Sequence, residues 1–199
     1  GNIVSAQQSF LKVVQDNSLH VDVIISRDPE KIKSSSYIVL PGQGAFQSCM
    51  EGLNNIDGMV DILEQCVLKN KVPFLGICVG MQLLANESYE NGKHKGLGWI
   101  DGSIKKLYGP NLKLPHMGWN NVEVRKNFPK MIFSIENKDF YFVHSYYFEC
   151  LNQKNVIGST KYGLNFASIV GKENIYGVQF HPEKSSVQGL QLIKDFLSI

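Results

Sequence analysis

Residues 72–82, VPFLGICVGMQ, constrain this chain more than any other stretch of it. A β-branched, apolar run closes on Gly76-Ile77-Cys78-Val79-Gly80, and the apolar spacing then turns helical at Met81, Leu83 and Leu84. The pattern predicts a buried strand that enters a sharp turn with a thiol at its tip. A glycine on each side lets the backbone bend tightly and leaves room for a substrate against Cys78. A helix opening at Val79 would add a dipole that favours thiolate. Nucleophile, activating field and backbone N–H donors thus fall in one segment, and covalent chemistry is expected.

The rest of the chain alternates in a way that suits such a junction. Residues 3–15 carry helical spacing, residues 20–25 and 37–40 read as short strands, and Pro41-Gly42-Gln43-Gly44 breaks the second strand. Residues 45–53 and 58–69 look helical before the strand that leads to Cys78. This β-α-β order predicts an α/β fold with a mostly parallel central sheet flanked by helices. After about residue 92, strand-like segments dominate: 100–107, 120–125, 140–148, 156–160, 166–170 and 175–180. Antiparallel strands are therefore expected in the C-terminal half. Residues 185–197 close the chain as an amphipathic helix, with Ser185 or Ser186 as N-cap.

A chain of 199 residues with 43% hydrophobic content suits one domain spanning residues 1–199. Its formal charge of +2, without a basic stripe, gives nucleic acid nothing to bind. No apolar run approaches the roughly 18 residues a membrane span requires. Nothing near Gly1 reads as an export signal, and four cysteines without C-x-x-C spacing suit a reducing, cytoplasmic setting. Cys49, Cys66 and Cys150 fit buried structural thiols. No Cys/His cluster has zinc spacing and no phosphate loop occurs, so neither metal nor cofactor is expected.

A thiol nucleophile needs a base, and the base an orienting group. His181 ends the strand IYGVQF and opens His181-Pro182-Glu183. If the chain stays extended past Pro182, alternation puts His181 and Glu183 on one side. Glu183 could then hold one imidazole nitrogen and leave the other for Cys78. Pro41-Gly42-Gln43-Gly44-Ala45-Phe46 is a second strand-to-helix junction, able to turn N–H groups into the same crevice.

Gly76-Ile77-Cys78-Val79-Gly80-Met81-Gln82 with His181-Pro182-Glu183 resembles the class I, triad-type glutamine amidotransferases. Pro115-His116-Met117-Gly118-Trp119-Asn120, with Tyr141-Phe142-Val143-His144-Ser145-Tyr146 and His181-Pro182-Glu183-Lys184-Ser185, resembles one branch of them. That branch comprises the glutaminase subunits of imidazole glycerol phosphate synthase, and the similarity spans essentially the whole chain. It implies hydrolysis of glutamine to glutamate and ammonia through a γ-glutamyl thioester on Cys78, with His181 as acid and base and Glu183 as its orienter. It implies an oxyanion site from the N–H of Val79 and one from Gln43-Gly44, the latter supplied by a peptide flip that the partner triggers. Gln82 would contact the bound glutamine, and His144, Ser145 and Tyr146 would lie on the substrate side. For His144 a satisfied histidine on a mostly buried strand is nearly as good a reading. Met117, Trp119, Asn120, Tyr141 and Lys184 would face a (β/α)8-barrel cyclase subunit in a heterodimer. There ammonia would enter the synthesis of imidazole glycerol phosphate and aminoimidazole carboxamide ribotide, in histidine biosynthesis.

Three other readings stay open at this stage. A paralogous glutaminase could supply ammonia for amidation of a sugar in surface-glycan synthesis. A γ-glutamyl or related cysteine hydrolase could act alone, which leaves the 115–120 segment without a purpose. A regulatory subunit could have kept the fold and lost turnover, but would have no chemical need for Cys78, His181 and Glu183 together. One departure from the family is expected to matter: members open with a strand ending in a Gly-Asn turn, and here Gly1-Asn2 leads straight into a helix. Either Gly1 is a cloning scar or a leading strand of about ten residues belongs before it; residues of that turn would also line the oxyanion site.

Overall fold

Strand β2 (Phe74–Cys78) is buried along its whole length, as a strand with parallel neighbours on both sides must be. Those neighbours are β1 (Ile38–Gly42) and β11 (Ile175–Val178). A computed structural model describes the chain over residues 3–125, 135 and 137–199, so the Gly1-Asn2 turn lies outside the described residues. Beyond β11 the sheet turns antiparallel at β10 (Leu164–Lys172) and continues through β8 (Tyr146–Cys150), β5 (Gly102–Lys106), β3 (Glu87–Ser88) and β4 (His94–Lys95). Strand β9 (Val156–Tyr162) also pairs with β10 and leads to β6 (His116–Val124), which pairs with β7 (Lys138–His144). The expected α/β fold, parallel first and antiparallel later, is what the chain adopts.

Helices α1 (Ile3–Asp16) and α6 (Ser186–Phe196) pack against each other, with Phe10 and Val13 of one and Ile193 and Phe196 of the other in the core. Between them in sequence lie α2 (Pro29–Lys33), α3 (Phe46–Asn54), α4 (Met59–Glu64) and the short α5 (Val79–Gln82). The segment after α4, Gln65–Lys69, widens into a π turn instead of continuing as α-helix. Gly58 enters α4 at φ 71°, which glycine adopts without strain.

Several sequence expectations need correction. Residues 20–25 form no ladder, although their apolar alternation suggested a strand. A strand requires a neighbour's N–H and C=O groups, and these residues face β1 across a groove of about 780 Å³. Ile24 and Ile25 consequently stay exposed. Pro41 and Gly42 do not break β1: they pair with Ile77 and Cys78, and an edge strand tolerates a residue without an N–H. The single strand expected at 140–148 is two, β7 and β8, divided at Ser145. Ser185 stands at the N-cap of α6 but makes no cap bond, because its hydroxyl is engaged elsewhere. Cys66 and Cys150 are buried as expected, whereas Cys49 is only half-buried.

Two glycines test how tightly the layers meet. A Cβ on Gly80 would lie 1.8 Å from the carbonyl oxygen of Leu40, while one on Gly52, in α3, would meet nothing within 4 Å. We expect Gly80→Ala to cost about 3 kcal/mol or to prevent folding. Gly52→Ala should instead stabilise by about 0.5–1 kcal/mol. Urea unfolding of both variants checks this pair.

Candidate active site

The thiol sits on a strained turn. Cys78 adopts φ 55° and ψ −112°, a region that costs a non-glycine residue about 1–3 kcal/mol. The neighbours permit it: a Cβ on Gly76 would lie 2.5 Å from the oxygen of Gly80, and one on Gly42 would lie 2.6 Å from the nitrogen of Gly80. Since Gly42 pairs with Cys78, the Gln43-Gly44 junction is pressed against the Cys78 turn. The helix that follows is shorter than its apolar spacing suggests. Carbonyls of Leu83, Leu84 and Ala85 accept from the N–H groups of Leu97, Ile100 and Gly98, which diverts the helical ladder after one turn. So short a helix aligns few peptide dipoles, and the expected activating field is correspondingly small.

A side-chain partner stands beside the thiol. His181 Nδ1 lies 2.9 Å from Glu183 Oε1, and both side chains are almost fully buried. The route differs from expectation: Pro182–Lys184 is a 3-10 turn, not extended chain, and it folds Glu183 back onto the ring. Backbone bonds fix that turn. His181 N–H donates to the Tyr141 carbonyl at 2.9 Å, and Ser185 Oγ donates to the His181 carbonyl at 2.6 Å while accepting from Tyr141 N–H at 3.0 Å. A Cβ on Gly189 would lie 1.9 Å from the Pro182 oxygen, so glycine lets α6 press against the turn.

Burial works against a charge on His181, but hydrogen bonds to Cys78 and Glu183 outweigh it and raise the imidazole to about 9. Burial likewise works to raise Glu183, yet the hydrogen bond and charge of His181 hold its carboxyl below the usual range. The two shifts describe one arrangement, an imidazolium between a carboxylate and a sulphur. Glu183 Oε2 has no hydrogen-bond partner among the described residues; beside His181, a backbone hydrogen bond at Glu183 itself also favours the carboxylate.

A cavity of about 300 Å³ opens over the sulphur. Gln43, Gly44 and Val79 line it beside Cys78 and His181, and Gln82, His144, Ser145 and Tyr146 line it from other sides. Gly44 takes φ 91°, and Cys49 Sγ lies 3.4 Å from the Gln43 carbonyl it donates to. Burial raises the Cys49 thiol, and it drives that of Cys150 up to about 12. Gln82 is spoken for: its Nε2 donates to the Tyr146 carbonyl and to Gln179 Oε1, each at 3.1 Å.

His144 spends both ring nitrogens inside the protein, on the Tyr146 carbonyl (2.8 Å) and on His116 Nδ1 (2.9 Å). Burial lowers His144 to about 3 and His116 to about 4, so both rings are neutral at neutral pH. Neither His116 nor Gln179 nor Glu90 received a role from the sequence. Glu90 also lines the cavity and accepts from Phe46 N–H at 2.8 Å, supplying the α3 cap that Ala45 lacks. It sits in a polar loop with no local pattern to mark it; the Gln179 signal was its place two residues before His181.

The remaining predicted residues lie on the β6–β7 ribbon. Alternation along β6 buries His116 and Val122 and turns Met117 and Trp119 outward, 62% and 53% exposed. Trp119 meets Tyr141 edge-on at 6.2 Å, and Lys184 Nζ stands 5.9 Å from the Tyr141 ring centre. Lys184 also lines the cavity, so the exposed patch and the site share a border. Asn120 is turned partly inward, with its amide on His116 Nε2 and on the Lys161 carbonyl, both at 3.1 Å.

The family described as "Glutamine amidotransferase class-I" matches residues 2–199. A protein of Pelagibacter ubique named "Imidazole glycerol phosphate synthase subunit HisH" is 45% identical over 100% of this chain and 95% of its own length. One of the same name from Rhodospirillum rubrum is 43% identical over 99% and 94%. Among solved structures, a glutamine amidotransferase superposes with TM-score 0.74 at 17% identity, over 100% of this chain and 93% of that one. The glutaminase domain of CTPS from Trypanosoma brucei superposes with TM-score 0.65 at 18% identity, over 98% and 86%, and these two likenesses concern the fold alone. Among the described residues no helix is long and apolar enough to cross a membrane. With a matching profile along nearly its whole length and relatives above 40% identity, this chain belongs to the class I glutamine amidotransferases.

Proposed function

We propose that the protein is the glutaminase subunit of an imidazole glycerol phosphate synthase, with residues 1–199 acting as one catalytic unit. The observation that carries the chemistry is the buried His181–Glu183 pair set against Cys78 at the floor of a cavity. His181 holds the proton that Cys78 gives up, and the sulphur, as thiolate, attacks the side-chain amide carbon of glutamine. The tetrahedral oxyanion is met by the Val79 N–H and by an N–H from the Gln43-Gly44 junction. Collapse expels ammonia, protonated on leaving by His181, and leaves a γ-glutamyl thioester. His181 then draws a proton from water, which hydrolyses the thioester to glutamate and regenerates the thiol. Glu183 holds the ring in the tautomer that both steps require.

Glutamine arrives as a zwitterion, and the cavity offers Glu90 and Lys184 as charges of opposite sign. Exposed Met117 and Trp119, with half-buried Tyr141 beside them, form an aromatic and thioether patch of the kind that seats a partner. A (β/α)8-barrel cyclase docked there would receive ammonia next to Lys184, away from bulk water that would protonate it. The names of the relatives, which speak of a synthase subunit, support this reading of the acceptor.

Cys78→Ala should abolish glutamine-dependent synthesis in the complex with the cyclase while leaving ammonia-dependent synthesis intact. Steady-state assays with each nitrogen source test this, and loss of both activities would sink the proposal. Glutamine hydrolysis should also rise strongly when the cyclase and its nucleotide are added; partner-independent turnover would favour a hydrolase acting alone.

The proton on His181 also couples to stability. Its folded value of about 9 lies above the ~6.5 of an unfolded histidine, so the contribution is complete below ~6.5 and lost as pH rises towards 9. We expect unfolding free energy to fall by on the order of 2 kcal/mol across that window. His181→Asn should flatten the decline, which urea titrations at pH 6 and pH 9 would measure.

A further inference from the structure

The hydrogen bonds around Gln179 leave its amide only one orientation. A backbone carbonyl can accept but never donate, and the Tyr146 carbonyl is reached by both His144 Nδ1 and Gln82 Nε2. Gln82 must therefore aim its NH2 group at Tyr146. The second proton of that group goes to Gln179 Oε1 at 3.1 Å. With its oxygen committed, Gln179 turns its own NH2 towards Cys78 Sγ, 3.8 Å away. The same reasoning fixes the other arm. His144 carries its proton on Nδ1, so His116 Nδ1 must donate to His144 Nε2, and Asn120 must donate to His116 Nε2. The Lys161 carbonyl, which accepts the other Asn120 proton, closes that end. His116 is clamped between Tyr162 and Phe142, with ring centres 4.0 and 4.8 Å away, so the arm has little freedom to reverse.

From this network we infer that Gln179 is a positioning residue for the nucleophile, its amide held NH2-first against Cys78 by Gln82 and the Tyr146 carbonyl. Gln179 is fully buried and Gln82 nearly so, so water does not compete for these bonds. A donor fixed at the sulphur stabilises negative charge there and loses that advantage once the sulphur is acylated. It thus favours the thiolate before attack, and again as the thioester collapses. A reversed amide would set a carbonyl oxygen against the sulphur and act in the opposite sense. The inference rests on Cys78 being the nucleophile of the proposed reaction.

The test is alkylation of Cys78 by iodoacetamide across pH 5–10, in the full chain, with the Cys78 peptide quantified by mass spectrometry. Gln179→Met fills the space without donating, and Gln179→Glu places an acceptor where the donor was. The other titratable groups about the site, His181 before the 3-10 turn, Glu183 and Lys184 on it, Cys49 on α3, Glu90, His144 and Tyr146, are the same in all three proteins. We expect alkylation at pH 7 to slow about threefold in Gln179→Met and about tenfold in Gln179→Glu. The pH of half-maximal rate should rise in the same order. Equal pH profiles in folded variants would overturn the inference, as would an effect that follows melting temperature instead of the order glutamine, methionine, glutamate. Should the variants not fold, the unaltered protein still decides: the Gln179 side-chain amide protons should shift as Cys78 ionises, and flat signals would reject the contact. Because alkylation reports on the sulphur alone, this result is independent of whether glutamine proves to be the substrate.

Discussion

The close approach of two backbones, at Gly80 and Leu40, is the constraint on which the rest of this protein depends. Side chains cannot enter there, so the turn after β2 rests directly on β1. That contact brings the Gln43-Gly44 junction against Cys78 and gives the cavity its floor. It also holds Cys78 in backbone angles it would not adopt freely. Strain of this size persists only where the surroundings over-determine it, and parallel pairing on both sides of β2 does so here.

Charge is managed by the same economy of backbone contacts. An imidazolium and a carboxylate buried together are tolerable only when each is the other's partner and the geometry is held. The Tyr141 and Ser185 bonds hold it for His181, and the glycine at 189 lets α6 close over the turn. Because Tyr141 also borders the ribbon patch of Met117 and Trp119, the turn after His181 and the proposed docking surface share one strand, β7. The buried arm from Asn120 through His116 and His144 ends at the Tyr146 carbonyl, at the edge of the same cavity.

Much of this was legible in the chain. The strand-turn-helix at Cys78 could be read because glycine spacing and apolar periodicity are local signals. The union of His181 with Glu183 was read correctly from their spacing, although a 3-10 turn, not extension, achieves it. The strand expected at 20–25 failed because alternation describes a face, while a strand also needs a neighbour to bond with. The helix after Cys78 failed because competing N–H groups from residues 97–100 claim its carbonyls, a long-range event that no window on residues 79–86 contains. Glu90, His116 and Gln179 escaped notice since each owes its place to partners 28 or more residues away.

By itself, then, the sequence determined the type of sheet, the family, and the trio Cys78, His181 and Glu183 that the proposed reaction calls on. These rest on short spacings and on residues chemically suited to one task. Only the tertiary structure decided what surrounds the sulphur: which carbonyls end the helix, which carboxylate shares the cavity, and which way the Gln82 and Gln179 amides face. The physical reason is that a buried hydrogen bond is set by every other bond its partners make. That information is distributed over β6, β7, β8, α5 and the residue after β11, and it exists only once those elements have met.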